Sequence, residues 1–284
     1  MQQYSDLGNR IINEGVWIEN PRTGVKCKTV LNHTFVYDVG NCEVPVVTTR
    51  KVPYRGAFGE FIGYLQGKDS AADLRELGSK TWDGNANENK SWLANPNRKG
   101  EDDLGRIYGV QARDWVNQFG EHFDQLKKVI NNLRQGIDDR GEVVTFWNPG
   151  EFDYGCLRPC MHTHTFSIFD GKLHMTSVSR SVDVPLGLPA NMMQCYFFLD
   201  LVARLTGLVP GKVTHHMINV HVYENQYDLF VEEMKRPVME SNATLWLDPL
   251  LLMAGIDGID TLTKESVVLE DYEAHPPIKY PFTV

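Results

Sequence analysis

The stretch LRPCMHTHTF sets Cys160 behind Arg158 and Pro159 and ahead of His162 and His164. A cysteine in such company can be a nucleophile, can share a metal ion with imidazoles, or can be a small buried apolar group. Cys156, Cys160, His162 and His164 crowd together, but their spacing is not that of a zinc ribbon or finger, and no second CxxC or HxxxH follows. If MHTHTF is a strand, His162 and His164 share a face while nothing fixes where Cys156 points. A metal is not expected. Cys27, Cys42, Cys156 and Cys195 read as inert buried thiols.

Cys160 differs because Arg158 is close by and RSVD (Arg180, Ser181, Asp183) lies on a strand that the Asp170-Gly171 turn folds back toward it. A nearby guanidinium favours the thiolate. Arg22, Arg140, Arg158 and Arg180 are the candidates for holding a phosphate monoester, which needs several bidentate donors beside the nucleophile. The sequence alone leaves their convergence open, and a surface ion-pair network is the plainer use of the same arginines. There is no GxxxxGK[ST], and no GxGxxG opening a helix, so a nucleoside triphosphate or dinucleotide fold is not indicated.

The elements around these residues follow from hydrophobic periodicity. Tyr4 to Gly15 has helical spacing, and VLNHTFVYDV and VPVVTTRKV read as strands. YRGAFGEFIGYLQG reads as a helix with Phe58, Phe61, Ile62 and Leu65 on one face, stopped at Gly67. Residues 84–105, polar and rich in Asn, Lys and Gly, read as a surface excursion. HFDQLKKVINNLRQG is an amphipathic helix burying Leu126, Val129, Ile130 and Leu133. EVVTFWN, MHTHTFSIF and KLHMTSVSR are strands, the last two joined as a hairpin. LPANMMQCYFFLDLVARLTG, apolar nearly all round, is a buried central helix. VTHHMINVHVY is a strand and ENQYDLFVEEMKR a helix. With no repeat or hinge, residues 1–284 read as one α+β domain.

The chain carries 28 Lys and Arg against 37 Asp and Glu, a formal charge of -9, which opposes non-specific attachment to nucleic acid or an anionic membrane. The N-terminus lacks a secretory pattern, and no apolar run approaches the roughly 18 residues of a membrane span. Five cysteines in a chain this long do not form a disulfide framework, so reduced thiols in a cytoplasm are expected.

LRPC, RSVDVPLGLPAN and NVHVYEN together resemble the thymidylate synthase family and its nucleotide hydroxymethylase relatives. The resemblance runs the whole chain, through QYSDLGNRIINEG, RTG, VVTTRK, GEFIGYLQG, KTWD, RIYGVQ, FWNPGEFD and HPPIKYPFTV. It implies a homodimeric α+β fold with a large mixed or antiparallel sheet packed by helices and a sheet face used for dimerisation. The implied substrates are dUMP and 5,10-methylenetetrahydrofolate, with no metal.

By the same resemblance Cys160 is the nucleophile that adds to C6 of the uracil. Arg22, Arg180 and Ser181 hold the phosphate, and Arg140 reaches the phosphate of the partner subunit. Asn191 reads the uracil edge. Asp183 meets the base or folate, and His221 and Tyr223 bind the ribose hydroxyl. Glu60 is the general acid/base, Tyr108 assists removal of the C5 proton, Trp82 packs on the folate, and Val284 closes the lid.

Some positions depart from the family pattern. Gly141 stands where a second arginine is common, leaving Arg158 as a candidate replacement. Met161, Thr165, Ser179 and Ala190 also differ, and lie where they can loosen water exclusion. That matters because a dUMP hydroxymethylase lets water capture the methylene that a synthase reduces by hydride; Trp82 and the closing PFTV favour the synthase. A silent RNA- or protein-binding member and a zinc hydrolase built on Cys160, His162 and His164 are the readings from other classes.

Overall fold

The computed structural model describes residues 1–19, 24–249 and 255–282. In chain order the elements are α1 (Gln2–Glu14), β1 (Val16–Glu19), β2 (Lys26–Asp38), α2 (Tyr54–Leu65), α3 (Ala71–Glu76), α4 (Asp83–Asn87), α5 (Lys90–Leu93), α6 (Gly109–Arg113) and the β3–β4 pair (Trp115–Val116, His122–Phe123). They continue with α7 (Gln125–Arg134), β5 (Val143–Thr145), β6 (Met161–Phe169), β7 (Lys172–Asp183), α8 (Gly187–Thr206), β8 (Val209–Tyr223), α9 (Glu224–Met234) and the β9–β10 pair (Thr244–Leu247, Val267–Glu270). Short 3-10 turns cover Pro149–Tyr154 and Gly255–Thr261.

The chain is one α+β unit around a six-stranded mixed sheet in the order β1-β2-β8-β7-β6-β5, antiparallel except where β7 lies parallel to β8. The β6–β7 hairpin forms as its Asp-Gly pair dictates: Asp170 and Gly171 both take positive φ, 50° and 71°, which matches the twist of the flanking strands. That pairing sets Met161 opposite Ser179, and the Arg180 N–H donates to the Cys160 carbonyl at 2.9 Å.

The central helix α8 is buried on nearly every side, as its unbroken apolar text requires. α7 buries Leu126, Val129, Ile130 and Leu133 behind an Asp124 cap that accepts the Lys127 N–H. α2 is buried almost throughout its length, beyond the single face its periodicity indicates, and it ends at Gly67 with φ 71°. Its close packing depends on Gly59, where an added Cβ would lie 2.0 Å from the Leu77 carbonyl oxygen.

The structure corrects four expectations. VPVVTTRKV is not a strand. Its backbone finds tyrosine hydroxyls in place of a ladder: Tyr54 Oη accepts the Val47 N–H, and Tyr272 Oη accepts from Val52 and donates to Val47 O. Residues 84–105 are not a plain surface excursion, because α4 and α5 fall there and Trp92 is buried with its Nε1 donating to the Asp103 carbonyl. Cys42 is exposed rather than buried. A register shift between Met161 and Thr163 breaks the alternation that would pair the two histidines, so His162 packs on Trp147 while His164 lies among Phe61, Phe146 and Phe198.

Candidate active site

Cys160 sits at the start of β6, half-buried, where the hairpin register delivers Arg180 to it. The Arg180 Nη2 lies 3.9 Å from Cys160 Sγ, a distance at which a fixed cation favours an anionic sulfur. The guanidinium is held there from several sides. Its Nε donates to Pro159 O at 2.8 Å, its Nη2 to Arg158 O at 2.9 Å, and the group lies over the Trp147 ring.

Arg158 itself is exposed with its guanidinium over Phe152, whose ring meets Trp147 edge-on at 4.7 Å. Its carbonyl therefore positions Arg180, a contribution that its side-chain charge does not suggest.

Tyr108 closes the other side of Cys160, its hydroxyl oxygen accepting the Cys160 N–H at 2.8 Å. Burial first, and then the negative charge that Cys160 can carry, push the Tyr108 phenol well above its ordinary range. Tyr108 takes φ 32°, a conformation costly for an aromatic residue, and Gly109 after it lets the backbone approach Tyr64 closely. Its ring stacks on Tyr64 at 4.6 Å and meets Trp82 at 5.5 Å.

Behind these rings Glu60 is enclosed by donors. Trp82 Nε1 donates to Oε1 at 2.7 Å and Gln194 Nε2 to Oε2 at 2.6 Å. Burial raises the Glu60 carboxyl above its usual range, opposed by hydrogen bonds from Gln194, Trp82 and Tyr64. Trp82 also donates to Tyr64 Oη at 3.0 Å. The chain of bonds ends at half-buried Asn191, whose Nδ2 donates to Gln194 Oε1 at 3.1 Å.

The remaining candidates line the ends of β7 and β8. Ser181 pairs with Asn219 and Asp183 with His221 in the parallel register. His221 shares a hydrogen bond with Asn219 through Nδ1 at 2.8 Å, and its ring meets Tyr223 edge-on at 5.0 Å. Asp183 accepts from Leu186 N and Gln226 Nε2, yet burial pushes its carboxyl up to about 6. Gln226 Nε2 also donates to Pro281 O, tying Asp183 to the C-terminal segment.

Arg140 is not brought to Cys160 of its own chain. It is exposed in the turn before β5, where the register sets the neighbouring Glu142 beside Phe166, well along β6 from Cys160. Arg22 and Val284 lie outside the described residues.

Gln194 and Gln226 are absent from the sequence-based candidates. Gln194 left a trace, as a polar residue three positions after Asn191 on a helix otherwise almost wholly apolar. Gln226 left none, because its role depends on the C-terminal segment returning to α9.

Among the described residues no three His, Cys, Asp or Glu side chains gather to hold a metal ion. Burial holds His164 neutral, its pKa brought down to about 3, and pushes the Cys156 and Cys195 thiols up to about 12. Two of the departures point into the core. Met161 is buried with its Sδ 3.4 Å from Cys195 Sγ, and Ser179 is buried against His215 Nε2 at 2.8 Å. At both positions the packing is closed to water.

A family model described as thymidylate synthase matches residues 2–284. Curated thymidylate synthases similar to the chain include those of Idiomarina loihiensis (54% identical), Pseudoalteromonas translucida (52%) and Haemophilus influenzae strain PittGG (51%), each covering 100% of both chains.

Proposed function

Because the chain belongs to the thymidylate synthase family, we propose that Cys160 and the groups converging on it carry a reductive methylation of dUMP. The enzyme is a methyltransferase forming dTMP, with 5,10-methylenetetrahydrofolate as cosubstrate. The Cys160 thiolate adds to C6 of the uracil, and C5 becomes the nucleophile that attacks the one-carbon unit. Loss of the C5 proton and departure of tetrahydrofolate leave an exocyclic methylene. Hydride from that folate reduces it to methyl as Cys160 is expelled, releasing dTMP and dihydrofolate.

The observation that carries this reading is the convergence on Cys160 of Arg180 and Tyr108, with Glu60 and Asn191 joined behind them through one chain of hydrogen bonds. Arg180 combines a charge for the dUMP phosphate with a position beside the sulfur, and Ser181 and Arg22 add phosphate donors. Tyr108, fixed against Cys160, assists C5 deprotonation, and Glu60 serves as the general acid/base through water. Asn191 reads the base, Asp183 meets the base or folate, and His221 with Tyr223 holds the ribose. Trp82 both supports Glu60 and presents a folate-packing surface, and the role of closing the lid falls to Val284. The curated relatives support the synthase over a hydroxymethylase.

The active form is a homodimer with Arg140 serving the partner's phosphate. Two features support this: Arg140 is exposed and remote from its own Cys160, and Trp17, Ile18, Leu31, Val36 and Ile218 leave apolar side chains exposed on β1, β2 and β8. No helix of the described residues is long and apolar enough to cross a membrane. A cytoplasmic setting fits the free cysteines.

Cys160→Ser tests the assignment. It should abolish turnover while the far-ultraviolet circular dichroism stays that of the parent, because a neutral hydroxyl cannot replace the thiolate. Near-normal turnover would remove Cys160 from the reaction.

A further inference from the structure

Asn191 carries an amide, which can present its oxygen or its nitrogen to a base according to how it is turned. The structure settles the turn through a buried neighbour. Gln194 is wholly buried one helical turn further along α8. Its amide has no freedom to flip, because one end meets the Ala57 backbone carbonyl at 3.1 Å and a carbonyl oxygen only accepts. That end is therefore Nε2, which also donates to Glu60 Oε2 at 2.6 Å. The opposite end is Oε1, an acceptor, and it takes a hydrogen from Asn191 Nδ2 at 3.1 Å.

We propose that Gln194 is a positioning residue that locks the Asn191 amide in the uracil-reading orientation while holding the Glu60 carboxylate in place. The inference rests on the reading of Asn191 as the base-contacting residue. With Nδ2 held by Gln194, the Asn191 oxygen is left to accept the uracil N3–H, and the second Nδ2 hydrogen is left for O4. Cytosine offers the reverse pattern, an acceptor at N3 and an amino donor at C4. To meet it the Asn191 amide must flip, which sets its oxygen against the Gln194 oxygen with no hydrogen between them. Discrimination against the cytosine nucleotide is thus built one residue behind the contact, on a side chain that need not touch the base.

The same geometry couples base reading to acid/base chemistry, because one amide serves both partners. The titratable groups facing Glu60 are Tyr64 on its own helix and Tyr108 opposite, both kept neutral by burial.

Two variants separate the two duties. Gln194→Met keeps the length and fills the space but removes both hydrogen-bonding ends. Gln194→Glu keeps an acceptor toward Asn191 and places a second carboxyl against Glu60. The measurements are KM for dUMP, Ki for dCMP as a competitive inhibitor, and the pH profile of kcat, with circular dichroism confirming the fold.

For Gln194→Met the expected result is a roughly tenfold fall in the ratio of dCMP Ki to dUMP KM, the value of one hydrogen bond. The acid limb should also move to higher pH, because Glu60 loses a donor. For Gln194→Glu the acid limb should likewise move up, with the ratio kept within about twofold.

A Gln194→Met enzyme with the parent ratio and the parent profile would overturn the proposal. If that variant does not fold, Gln194→Glu decides, and an unmoved acid limb overturns it. A parent enzyme that does not consume dUMP would overturn the functional reading beneath it.

Discussion

Replacing Asp183 with asparagine should change how stability depends on pH, and the structure supplies the sign and the size. Burial holds the Asp183 carboxyl up at about 6, against an ordinary 3.8, so the folded state favours the protonated acid. The resulting stabilisation is fully present below 3.8 and is lost as pH rises through about 6. At about 1.4 kcal/mol per pH unit the whole interval is worth about 3 kcal/mol. Asp183 is partly solvent-exposed, which reduces the expectation to about 1–2 kcal/mol.

The Asp183→Asn side chain would carry no charge and lose nothing over that range, but it would cost a hydrogen bond at every pH. Leu186 N and Gln226 Nε2 are both donors, and Gln226 cannot turn because its Oε1 accepts the Tyr223 N–H at 3.2 Å. An amide can accept with its oxygen alone, so one donor is left unmet, at about 1 kcal/mol. The variant should therefore be less stable than the parent by about 1 kcal/mol at pH 4 and draw level or pass it by pH 7. Urea unfolding of both proteins at fixed protein concentration, from about pH 4 to 7.5, gives the difference curve. Parallel curves would refute the raised carboxyl and the argument built on it.

Trp82→Phe keeps an aromatic ring but removes the donor that serves both Glu60 and Tyr64. A buried bond to a charged acceptor is worth about 1.5–3 kcal/mol, so kcat should fall roughly 10–100-fold and its acid limb should move to higher pH; an unmoved limb would separate Trp82 from Glu60. Gly59→Ala would place a methyl 2.0 Å from the Leu77 carbonyl oxygen, so the urea midpoint should fall by the equivalent of about 1–3 kcal/mol. A change within about 0.5 kcal/mol would mean that α2 can move aside at no cost.

Legibility followed the range over which each signal acts. The hairpin that brings Arg180 to Cys160 was readable because Asp170-Gly171 and the flanking strands are adjacent in sequence, and α7 and α8 were readable from apolar spacing alone. The segment VPVVTTRKV was not, since its burial resembles a strand while its backbone partners, Tyr54 and Tyr272, come from a neighbouring helix and from the far end of the chain. The α5 helix was hidden by polar text, with Trp92 anchoring it from within.

At the site, individual residues could be carried over motif by motif, but their mutual support could not. That Gln194 joins Asn191 to Glu60, and that Arg158 acts through its carbonyl, are facts of three-dimensional placement. The register shift between Met161 and Thr163 likewise separates His162 from His164, against simple alternation.

The most direct test of the account is to supply the purified enzyme with dUMP and 5,10-methylenetetrahydrofolate, follow dihydrofolate by absorbance, and identify the nucleotide by mass spectrometry. The account predicts dihydrofolate and dTMP in equal amounts. A hydroxymethylated nucleotide with tetrahydrofolate would contradict it, showing that water reaches the methylene before hydride does.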